Sequence, residues 1–170
     1  MKGFFVLSRD AKSEYLKHEI RYQGLATTRA WSPEDLQRHG ATFMRILAIE
    51  DEEGTCQSVD DAAKVREALQ LAFVDDAFEI VYGADEGESD DHLQRMASGR
   101  LLGYDVCTAP PTYSAAAEFL DLVGDVGIQL NDRGLFIDED SAKQFLEKVR
   151  GPAEEEYGFM YVWRVWDVDG

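Results

Sequence analysis

Read from the amino terminus, the chain first shows a short unbroken apolar run, "GFFVLS" from Gly3 to Ser8, which predicts a buried strand. The next stretch, "AKSEYLKHEIRYQG", supports two readings. Tyr15, Leu16 and Ile20 could line a helix, whereas His18, Ile20 and Tyr22 alternate as a strand does. A helix starts clearly at Pro33. Ser32 suits the cap, Pro33 the first helical position, and Glu34 and Asp35 the positive end of the dipole. Trp31 and Leu36 stand at the two positions of a hydrophobic staple, and Gly40 predicts the stop. The branched and aromatic segment "TFMRILAIE" then predicts a strand.

A long helix is predicted over Val59 to Phe73, with Ser58 and Asp61 spaced as a capping box. Ala62, Val65, Leu69 and Ala72 form its apolar stripe, and Asp60, Lys64 and Glu67 its wet side. "AFEIVYG" and "RLLGYDVC" read as strands, with a short helix between them around Asp90 to Ala97. Pro110 and Pro111 end the second strand. A helix carrying Tyr113, Ala116, Ala117, Leu120 and Val123 on one face follows, running to Gly124. "GIQLNDRGLFID" predicts two extended pieces around a turn at Asn131–Gly134. The last helix places Ala142, Phe145, Leu146 and Val149 together, with Gly151 and Pro152 as its stop. The chain ends in "YGFMYVWRVWDVDG", an extended segment apolar on both faces. Such a strand is covered on two sides, or lays its second face against another chain.

Strands interspersed with helices, without a repeat or a dividing linker, predict one α+β domain over residues 1–170. Its sheet is mixed but mostly antiparallel, with helices packed on it. Composition agrees, since 45% of the 170 residues are hydrophobic.

Charge changes the picture most. The formal net is −17, and its distribution is uneven. Residues 1–49 hold eight Lys/Arg against five Asp/Glu, residues 50–91 two against fifteen, and residues 92–170 seven against fourteen. Such a field repels nucleic acid and anionic membranes, and attracts a basic protein. The opposing reading is that the acids only confer solubility. The acids singled out for partner binding are Asp51, Glu52 and Glu53, with Asp85, Glu86, Glu88, Asp90 and Asp91. The aromatic terminus is a poor base-stacking platform, because Glu154 to Glu156 precede it and Arg164 is the strand's one base.

Candidate chemistry is sparse. Neither G-x-x-x-x-G-K-[ST] nor G-x-G-x-x-G is present, and no cofactor is expected. His18, His39 and His92 stand far apart, and no His/Cys spacing suits zinc. The loop Asp85 to Asp91 is rich in oxygen donors but lacks the calcium-loop spacing. Cys56 and Cys107 are isolated thiols, which fits a reducing cytosol. Cys107 at a strand end, with His92 as a base, would be the thiol version of an enzyme. The segment "TYSAA" around Ser114 is not the G-x-S-x-G of a hydrolase. The amino-terminal apolar run is too short for a signal peptide, and no stretch reaches the roughly 20 apolar residues of a spanning helix, so a cytoplasmic location is expected.

"LLGYDV", then a short helix, then "LNDRGLFIDEDSAKQFLE" and the aromatic "YVWRVW" together resemble small acidic immunity proteins encoded beside bacterial polymorphic toxins. The resemblance covers about residues 101–168 and rests on spacing, so it transfers no contact residues. It implies a stoichiometric inhibitor that binds and occludes a toxin domain, and together with the acidic middle segment it leads to the expectation of a basic toxin such as a nuclease. The alternatives are a small enzyme using Cys107 or a metal held by the acidic loop, and a structural subunit that homodimerises through its aromatic strand.

Overall fold

Four antiparallel strands in the order β1-β2-β4-β3 form the frame in a computed structural model of the chain. The structure describes residues 2–8, 32–51, 55–85, 99–108, 114–119, 123–124 and 127–168. The predicted element within residues 11–24 and the short helix at Asp90 to Ala97 lie outside them.

The strands are β1 (Lys2–Ser8), β2 (Phe78–Asp85), β3 (Leu101–Thr108) and β4 (Met160–Asp167). The terminal strand is interior, paired to β2 from Val81↔Asp167 to Asp85↔Trp163 and to β3 from Leu101↔Trp166 to Thr108↔Met160. The pleat sends Phe4, Val6, Ile80, Tyr82, Val106, Met160, Val162 and Trp166 to one face. Phe5, Leu7, Val81, Cys107, Trp163 and Val165 go to the other. Both sets are buried, which is why β4 reads as apolar throughout.

On the first face, helix α2 (Val59–Ala72) packs over β1 and β2 through Ala62, Val65, Ala68 and Leu69. Ser58 caps it by accepting from the Asp61 amide at 3.2 Å, and its hydroxyl donates to the Asp61 carboxylate at 2.8 Å. Helix α1 (Pro33–Leu47) lies beside α2. Ser32 and Asp35 close the capping box at its start, at 3.1 Å each way. Here the sequence reading is corrected in two ways. Gly40 does not stop the helix, and "TFMRILAIE" is helical through Leu47 rather than a strand. Gly40 has no positive φ, and the helix only kinks at His39 (φ −125°, ψ 23°), whose ring meets Phe73 at 5.4 Å. Ile46 and Ile49, three apart, turn onto the α2 cluster. That contact overrides the strand preference of the branched residues.

On the β3–β4 half, α3 (Ala115–Glu118) opens the predicted helix, and Val123 and Gly124 are again helical, Val123 donating to the Phe119 carbonyl at 3.2 Å, with residues 120–122 between them outside the described residues. Ala115, Ala116 and Val123 enter the core. Helix α4 (Glu139–Tyr157) carries the predicted face of Ala142, Phe145, Leu146 and Val149. It does not end at Gly151–Pro152 but runs on to Tyr157, with Gly158 at φ +90° closing it. Pro152 forfeits a main-chain donor, yet it sits on the solvent side, where its ring meets no core. Fully buried Ala153 and half-buried Tyr157 extend the stripe and offset the loss.

The predicted turn is present. The Gly134 amide donates to the Asn131 carbonyl at 3.0 Å, Leu130 bridges Phe136, and Phe136 in turn bridges Tyr104 at the β3 edge. Gly103 has to be glycine there. Its φ is +148°, and a Cβ would stand 2.7 Å from the Phe136 carbonyl oxygen and 2.9 Å from the Leu135 Cβ.

Candidate functional site

Among the described residues no helix is long and apolar enough to cross a membrane, and no three His, Cys, Asp or Glu side chains gather to hold a metal. The acids singled out from sequence divide unevenly. Glu52, Glu53, Glu86, Glu88, Asp90 and Asp91 lie outside the described residues. Asp51 is committed internally. Its carboxylate accepts from the Thr55 amide at 2.9 Å, the Thr55 hydroxyl at 2.6 Å and Gln57 Nε2 at 2.6 Å. This closes the loop that delivers Cys56 to the outer edge of β1, where Cys56 and Phe4 exchange main-chain bonds at 2.9 and 3.0 Å. Asp85 is the last residue of β2, half-buried opposite Trp163. Among the described acids of residues 50–91, the exposed ones are Asp60 and Glu67 on α2, with Asp75 just beyond it.

Next to the Asp51 loop, Glu50 follows the end of α1, its amide donating to the Ile46 carbonyl. Burial, and then the neighbouring Asp51 charge, push its carboxyl from the usual 4.5 up to about 7. The Cys56 thiol is pushed up to about 12, chiefly by burial, then by Glu50, Asp61 and Asp51. A thiolate there is suppressed, so Cys56 is a core residue rather than a nucleophile.

Cys107 belongs to a different cluster. Its Sγ donates to Asp105 Oδ2 at 2.8 Å, while Asp105 Oδ1 accepts from the Val106 amide and the Ser114 hydroxyl, both at 2.8 Å. Asp105 and Cys107 have no exposed surface and Ser114 almost none. The carboxylate therefore ties Ser114, which also bridges Cys107, back onto β3. Substrate has no access to either hydroxyl or thiol as folded. The proposed base, His92, lies outside the described residues.

A further buried polar pair lies on the same face of the sheet as Cys107. Arg133, from the Asn131–Gly134 turn, donates to Glu79 on β2 at 2.7 Å, and Glu79 is 3% exposed. Leu7, Val81, Leu102, Leu135 and Val165 complete a cavity of about 10 Å³ around the pair, space for a single water at most. Asn131 secures the turn. Its Oδ1 accepts from the Arg133 and Leu135 amides at 3.0 and 3.1 Å, and its Nδ2 donates to the Leu102 carbonyl at 2.9 Å.

The roomier feature is an open groove of about 470 Å³ where α4 ends and β4 begins, lined by Arg150, Glu154, Phe159, Met160 and Tyr161. Phe159 is 74% and Tyr161 39% exposed, while Met160 between them is buried. Sequence reasoning passed over this groove, because it treated the terminal aromatics as one set. The visible signal was Gly158 with the acids before it, which leaves the first residues of the strand at the rim of the sheet.

The chain matches no protein-family model, no curated protein and no solved structure.

Proposed function

We propose that this chain is an acidic, cytoplasmic protein-binding domain that neutralises a basic protein partner by covering its working surface, as an immunity protein neutralises a toxin. The observation that carries the reading is the net charge of −17 on a sheet-and-helix scaffold whose described thiols and serine cluster are sealed from solvent. A field of that size accelerates encounter with a cationic surface, and a rigid scaffold lowers the entropy lost on docking. Phosphate-bearing partners are repelled by the same field. The resemblance of residues 101–168 to small acidic immunity proteins narrows the basic partner to a toxin domain, such as a nuclease.

The test expresses the product of the reading frame beside this chain's gene, which this reading expects to be a toxin, alone and together with this chain. Restored growth and an equimolar complex are expected, with association slowing about tenfold between ~50 and ~500 mM NaCl as screening sets in. Growth arrest unrelieved by this chain, or association indifferent to salt, would overturn the reading.

A further inference from the structure

We draw no further inference here: the strongest candidate, the exposed apolar flank of α1 formed by Leu36, Met44 and Leu47, is a helix face interrupted by the kink at His39, and nothing in the structure shows what covers it.

Discussion

Replacing Glu50 by Gln tests how the acidic segment is built into the fold. Burial, with Asp51 adjacent, raises the Glu50 carboxyl from 4.5 to about 7, so the folded chain holds a proton that the unfolded chain has released. That contribution to stability is fully present below about pH 4.5 and is lost as pH rises through about 7. At face value the shift is worth roughly 3 kcal/mol, and water reaching part of the side chain reduces this to about 2 kcal/mol. Glutamine keeps the shape and removes the ionisation. The stability of wild type relative to Glu50→Gln should therefore fall by about 2 kcal/mol between pH 5 and pH 8. Urea unfolding followed by tryptophan fluorescence reads this directly, since Trp163 has no exposed surface in the fold. The midpoint difference should move by about 1 M urea over that range. Because both proteins carry the rest of the acidic surface, its general repulsion cancels in the difference. Stability curves that stay parallel from pH 5 to pH 8 would refute the assignment of a buried, protonated Glu50.

Neither thiol should react with a bulky aromatic disulfide within minutes in the native state, because Cys56 is pushed up to about 12 and Cys107 is sealed in the core. Both should react on unfolding, and rapid native labelling of either would contradict the packing described. Arg133→Ala should cost about 3 kcal/mol in urea unfolding, since it strips the cation from a carboxylate on Glu79 that water barely reaches. A cost under about 0.5 kcal/mol would place that pair among ordinary surface contacts. Gly103→Ala should destabilise by about 2 kcal/mol or more, through its φ of +148° and the contact of its new Cβ with the Phe136 carbonyl. An unchanged midpoint would show that the turn at residues 131–134 can shift off β3 at no cost.

Much of the fold was legible where local pattern and tertiary demand coincide. The Ser58 cap and the Ala62–Val65–Leu69 stripe both announce α2 and are both used, and the Asn131–Gly134 turn chemistry led to the observed hairpin. The α+β class followed from such segments. The misreadings share one cause. Gly40 and Pro152 are stop signals only when nothing beyond them needs the helix, and Ile46 and Ala153 are held in place by distant parts of the chain. The candidate site was less legible still. Asp51 looked like free surface charge, yet its carboxylate is spent on Thr55 and Gln57, a geometry that an acid-rich string does not encode.

By itself the sequence determined charge, the existence of the main helices and strands, and the two-sided burial of "YVWRVW", since each depends on composition or on short-range periodicity. Tertiary structure alone decided that this terminal strand sits between β2 and β3, and that Trp163 is sealed while Phe159 and Tyr161 stand at the rim. The same alternation runs through all three residues. Trp163 is paired on both sides, with Asp85 and Asp105, whereas among the described residues Tyr161 is matched to Cys107 alone. The pairings of β4 join positions from 52 (Thr108↔Met160) to 86 (Val81↔Asp167) residues apart.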